Sequence, residues 1–245
     1  MLLGFLFFII AAVYSFVGFG GGSSYIALLA ASDLDYKLIP KLALVCNIIV
    51  VLSSSFFFYR KRLIKRNIFI PIIISSAPMA FIGGLYPISA WTFYSLLIMT
   101  LFLVSLKILL FNTNQLDERR ELPINIALII GGVVGLLSGL VGIGGGIFLS
   151  PILILGRWVR AKEAAAISCY FILINSIFGL MGQMYKGDIV FKELMSHWYL
   201  FLAVLIGGQI GIRLSTKDKT SNQIIEKSTG ILILLISFNL LRKFL

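Results

Sequence analysis

Val17-Gly18-Phe19-Gly20-Gly21-Gly22 and Val141-Gly142-Ile143-Gly144-Gly145-Gly146 agree at five of six positions and lie 124 residues apart. Each cluster sits inside an unusually long apolar stretch, near 2–31 and near 122–156. Thirty residues of helix reach about 45 Å, too long for one straight crossing of a ~30 Å hydrocarbon core and too short for two. A helix broken at the glycines, or a hairpin that enters and returns, fits both stretches.

Six further apolar runs, near 38–59, 68–86, 89–111, 161–185, 196–214 and 226–244, each have the length of one crossing. The 245 residues are 59% hydrophobic and 13% charged, about half the charge of a soluble domain. That composition excludes a soluble enzyme, a disordered chain and a nucleic-acid-binding domain. It predicts an all-α polytopic membrane protein with the lipid bilayer around it. The net charge of +11 belongs to cytoplasmic loops, where Lys and Arg accumulate, and no nucleic acid is expected as a partner. Met1–Val17 lacks a basic leader and reads as mature structure. Cys46 and Cys169 lie in apolar runs without metal-type spacing, so they read as packing residues; no metal and no cofactor is expected.

The repeat extends beyond the glycines. Ile82-Gly83-Gly84 and Ile206-Gly207-Gly208 match at the same offset, and Ser53-Ser54 lines up with Asn175-Ser176 at 122. The chain therefore reads as a duplication: a first membrane repeat at 1–111, a polar linker at 112–121 and a second membrane repeat at 122–245. Charge chooses the topology. If both long stretches cross fully, basic residues divide twelve to nine between the two sides. If both are re-entrant, each repeat makes three crossings, the repeats are inverted, and the division becomes fifteen to six. The positive-inside rule favours the inverted arrangement, with 60–66, 107–120, 157–162 and 213–227 inside and both termini outside.

Non-helical backbone at membrane depth must be buried in protein or line a cavity. Helices restarting near Gly22-Ser23-Ser24 and Gly146-Ile147-Phe148 would present unpaired N–H groups and positive dipole ends at the midplane, an arrangement suited to an anion. The expected substrate-binding residues are Gly20, Gly21, Gly22, Ser23 and Ser24 in the first copy and Gly144, Gly145 and Gly146 in the second. Asn47, Asn175 and Ser168 join them as polar side chains within crossings. Gln183 and Gln209, nearer segment ends, are assigned to the interface. Pro151 is placed in the first turns of the second half-helix. The crossings carry no central Asp or Glu to relay a proton and no basic side chain at the midplane, so the positive field would come from backbone. His197 beside Trp198 and Tyr199 reads as part of an interfacial aromatic belt, and no catalytic residue is expected.

These residues resemble the TauE/SafE family of membrane transporters, the sulfite exporter family. The marks are Gly18-Phe19-Gly20-Gly21-Gly22 and Gly142-Ile143-Gly144-Gly145-Gly146 with Pro151. Lys162-Glu163-Ala164-Ala165-Ala166-Ile167-Ser168 and the Gly-Gly steps extend the resemblance over nearly the whole chain. The resemblance implies a plasma-membrane, multi-pass secondary transporter, and an exporter, for a small anion such as sulfite or an organosulfonate, working by alternating access around a midplane site. A homo-oligomer is a further expected assembly. The competing readings are an anion channel and a thiol-based sulfur relay through Cys46 or Cys169.

Overall fold

The structure, a computed structural model, describes residues 2–32, 34–60, 63–110, 120–185 and 191–215. Among these, every regular element is a helix: α1 (Leu2–Val17), α2 (Gly22–Ala31), α3 (Ile39–Arg60), α4 (Arg66–Leu85), α5 (Ala90–Leu110), α6 (Ile124–Val141), α7 (Gly146–Leu155), α8 (Ala161–Tyr185), α9 (Phe191–Met195) and α10 (Trp198–Ser215). Four are long and apolar enough to cross a membrane: α3, α4, α6 and, from Lys162, α8. Shorter apolar helices cover Leu2–Phe16, Gly22–Ala31, Ala90–Met99 and Trp198–Leu214. The chain is an all-helical membrane protein. The expected segment 226–244 and most of the 112–121 linker lie outside the described residues.

Small residues bring helix backbones together, as they do where lipid offers no hydrophobic drive between helices. A methyl at Gly131, Gly135 or Gly139 of α6 would strike the carbonyls of Ile72, Ser76 and Ala80 of α4. The pairs advance together, so α4 and α6 run side by side in one direction. Gly207 and Gly211 of α10 abut the carbonyls of Phe8 and Ala12 of α1 in the same way, and these two helices are also parallel. α8 follows α4: the Phe69 and Tyr170 rings lie 6.0 Å apart, and further along Asn175 Nδ2 donates to Ser76 Oγ at 3.1 Å. α3 crosses α8 in the opposite sense, with Leu44 beside Gly179 and the Tyr170 hydroxyl donating to the Ser55 carbonyl at 2.7 Å. α1 lies along α3, linked by the Ser15 and Ser54 hydroxyls at 3.2 Å.

Two apolar cores result. One gathers α1, α2, α3, α5 and α10 around Phe7, Tyr25, Leu42 and Val204. The other gathers α4, α6, α7 and α8 around Ile72, Leu153 and Phe171. A third cluster, with Val51, Cys169 and Ile172, joins them where α3 meets α8. At one end of the molecule the basic loops converge. Lys65 Nζ lies 3.2 Å from Glu163 Oε2 and donates to the Trp158 carbonyl at 3.5 Å, while Arg120 N–H donates to the Arg157 carbonyl at 2.9 Å.

Candidate functional site

Both glycine clusters interrupt the helix. α1 ends at Val17 and α2 begins at Gly22; α6 ends at Val141 and α7 begins at Gly146. The breaks use backbone that side chains resist: Gly18 and Gly21 have φ of 93° and 88°, and Gly142, Gly144 and Gly145 have 84°, 84° and 75°. Gly21 and Gly145 take equivalent places as the residues preceding α2 and α7, and neither helix start has a side-chain cap. The first N–H groups of a helix have no acceptor within it, so each break presents donors at the positive end of a helix dipole.

The fold brings the two breaks into contact in the buried centre. A methyl at Gly22 would collide with the Ile143 carbonyl and with the Asn47 amide. A methyl on Gly20 or on Gly144 would meet both Asn47 and Ile172. Asn47, fully buried on α3, links α3 directly to the second break: its Nδ2 donates to the Ile143 carbonyl at 3.1 Å. Gly146 faces Ile172 and the Ser168 carbonyl. A methyl on Gly145 would point away from the junction and lie 2.7 Å from Phe171 Cε1 and 3.1 Å from Val134 Cγ1.

Asn47 and Asn175 therefore do different things. Asn175, also fully buried, donates to Ser76 Oγ and to the Phe171 carbonyl at 2.8 Å, which ties α8 to α4. Ser24 Oγ lies 2.8 Å from the Tyr14 hydroxyl. Among the described residues the buried side-chain atoms without a hydrogen-bond partner are Ser23 Oγ, Tyr25 OH, Asn47 Oδ1, Ser138 Oγ, Ser168 Oγ, Asn175 Oδ1, Ser176 Oγ and Gln183 Oε1. Buried polar atoms are nearly always paired, so those beside the breaks are free to meet a polar ligand.

Several expectations change. Gln183 is buried and donates to the Gly139 carbonyl at 2.8 Å, and Gln209 donates to Ser53 Oγ at 2.6 Å; both bridge helices rather than sit at an interface. Pro151, the sixth residue of α7, lies in its second turn, within the first turns where the sequence places it. Lys41, counted as a loop charge, is buried in the first turn of α3. Tyr14 and Tyr25 were not expected at the site, because a tyrosine within an apolar run reads as core. Both cysteines are free and buried, and Cys169 Sγ contacts Ser55 Oγ at 3.5 Å.

This is the architecture of a helical membrane transporter, with broken helices meeting in the interior. The chain belongs to the family described as Sulfite exporter TauE/SafE, whose model matches residues 3–240. It is 30% identical over 216 residues to the "Probable membrane transporter protein y4hK" of Sinorhizobium fredii, covering 86% of each chain. It is 29% identical over 125 residues to a protein of the same description from Methanocaldococcus jannaschii, covering 48% of this chain and 46% of that one. A third, from Bacillus subtilis, is 31% identical over 100 residues, covering 39% of this chain and 34% of that one. No solved structure matches significantly.

Proposed function

We propose that the chain is a secondary transporter, and an exporter, of small sulfur-containing anions such as sulfite or organosulfonates, spanning the plasma membrane several times. The observation that carries this reading is the contact between the two glycine breaks in the buried centre of the fold: Gly22, which opens α2, lies against the Ile143 carbonyl of the break before α7, and neither α2 nor α7 has a side-chain cap. Such starts attract negative charge without a basic side chain. The nearest neighbours of the break glycines are uncharged, which suits a small singly charged anion, such as hydrogensulfite or a monosulfonate, better than a dianion whose dehydration costs more.

In this reading the two repeats, 1–111 and 122–245, are inverted. α1, α3 and α10 run one way and α4, α6 and α8 the other, so equivalent helices of the repeats oppose each other. Because α1 and α3 run the same way, the chain must return between them, as a re-entrant α1–α2 hairpin does. The Lys65–Glu163 contact supports the same topology: it joins loops 60–66 and 157–162, both assigned to the cytoplasm by the fifteen-to-six division of basic residues. The repeats rock about the junction, and Asn47 is the link that each cycle makes and releases.

The test is flux in liposomes containing the purified chain, with sulfite, methanesulfonate, sulfoacetate and taurine on one side and labelled sulfite on the other. Saturable counterflow of sulfite is expected. Absence of saturable flux for every one of these solutes refutes the transport reading. Single-channel currents carried by these anions in a planar bilayer refute the carrier mechanism.

A further inference from the structure

The two half-helices are equivalent in backbone and opposite in chemistry. α2 opens with Gly22-Ser23-Ser24-Tyr25, and at the 124-residue offset α7 opens with Gly146-Ile147-Phe148-Leu149. Every polar side chain at the first start has an apolar counterpart at the second. One helix earlier, Tyr14 of α1 corresponds to Ser138 of α6, which keeps a hydroxyl on a much shorter side chain.

The hydroxyls of the first copy converge. Side chains on a helix lean toward its N-terminus, and Tyr25 leans back over Gly21, the residue before α2. A methyl on Gly21 would lie 3.1 Å from the Tyr25 hydroxyl oxygen. The Tyr25 ring is held there by stacking on Phe7, with centroids 4.7 Å apart and planes 21° apart. The Tyr14 hydroxyl holds Ser24 Oγ at 2.8 Å. Tyr25 is 0% and Ser23 2% exposed, and neither hydroxyl has a hydrogen-bond partner. A tyrosine positioned by stacking, with an unused donor beside an uncapped helix start, is an arrangement that packing alone does not call for.

We infer that the anion-binding site is one-sided: the start of α2, with the Tyr25 and Ser23 hydroxyls and the first N–H groups of that helix, holds a singly charged oxyanion, while α7 opens with Ile147, Phe148 and Leu149 in place of those side chains. This rests on the transport reading above and goes beyond it by assigning the site to one repeat. Hydroxyl and N–H donors match an acceptor-rich hydrogensulfite or sulfonate head group, since hydrogen bonds to charged acceptors are the stronger ones.

The experiment is uptake of labelled sulfite by liposomes containing wild type, Tyr25→Phe, Ser23→Ala or Ser75→Ala, with the melting temperature of each purified protein. Tyr25→Phe keeps the ring and its stacking on Phe7 and removes only the hydroxyl. It is expected to raise KM for sulfite at least about tenfold without lowering the melting temperature, because the lost hydroxyl has no partner in the fold. Ser23→Ala raises KM alike. Ser75→Ala, whose hydroxyl donates to the Pro71 carbonyl within α4 at 3.3 Å, changes KM by less than about twofold. Active wild type with unchanged KM in both Tyr25→Phe and Ser23→Ala overturns the one-sided site alone. A Tyr25→Phe protein that melts several degrees lower assigns the hydroxyl to structure and also overturns it. Wild type that carries no sulfite refutes the transport reading and this site with it.

Discussion

Gly22→Ala separates space from backbone conformation at the junction. Gly22 is the first residue of α2, and unlike Gly21 it lies outside the left-handed region. Alanine is therefore acceptable to the backbone and is favoured in helices over glycine by up to about 1 kcal/mol. Its methyl, however, would overlap the Ile143 carbonyl and the Asn47 amide. A backbone carbonyl cannot rotate aside, so the overlap falls toward the upper part of the usual overpacking range, about 2–3 kcal/mol. The net cost is about 1–2 kcal/mol, or a melting temperature lower by about 2–8 °C for a chain of this size. Gly132→Ala on α6 is the control: its nearest neighbour is Met79 Cγ at 3.8 Å, so the helix preference acts alone and the protein should melt slightly higher. Because the wedge in Gly22→Ala separates the two breaks, sulfite flux should fall at least about tenfold, whereas Gly132→Ala transports normally. Wild-type stability and flux in Gly22→Ala, or equal shifts for the two substitutions, would show that the breaks do not meet as described.

Asn47→Ala removes the side-chain link between α3 and the second break and strands the buried Ile143 carbonyl; thermal melting should report a loss of about 1–3 kcal/mol, and an unchanged midpoint would refute the link. Glu163 both pairs with Lys65 and accepts the Arg160 N–H at 2.9 Å at the start of α8, so Glu163→Ala should lower the melting temperature more than Lys65→Ala does; equal effects would mean that the helix-start bond contributes nothing. For Lys65→Ala, whose pair is partly exposed at 27% and 16%, about 1 kcal/mol is the ceiling. The Cys46→Ala, Cys169→Ala double variant should retain sulfite flux; its complete loss in a well-folded protein would restore the thiol-relay reading.

The helix breaks were readable because their cause is local. Positive φ at Gly18, Gly21, Gly142, Gly144 and Gly145 and close approach at Gly20, Gly22 and Gly146 both need glycine, so a repeated glycine string survives as a signal in one sequence. Helix boundaries were readable for a similar reason: apolar length sets them, and α3, α4, α5, α8 and α10 fall within about two residues of their sequence limits. The direction in which a residue faces is a different matter. Successive helix positions turn by about 100°, and at the second break Gly144 meets Asn47 while its neighbour Gly145 meets Phe171. Both glycines look alike in the sequence, yet one lies at the junction and the other against the core. The asparagines show the same limit, since Asn47 and Asn175 are equally buried but reach different helices. The signal that was available lay in the differences between the copies rather than in their agreement. Aligned at 124 residues, the positions that keep glycine define the shared backbone, and Ser23, Ser24 and Tyr25 against Ile147, Phe148 and Leu149 mark where the two halves took on separate chemistry.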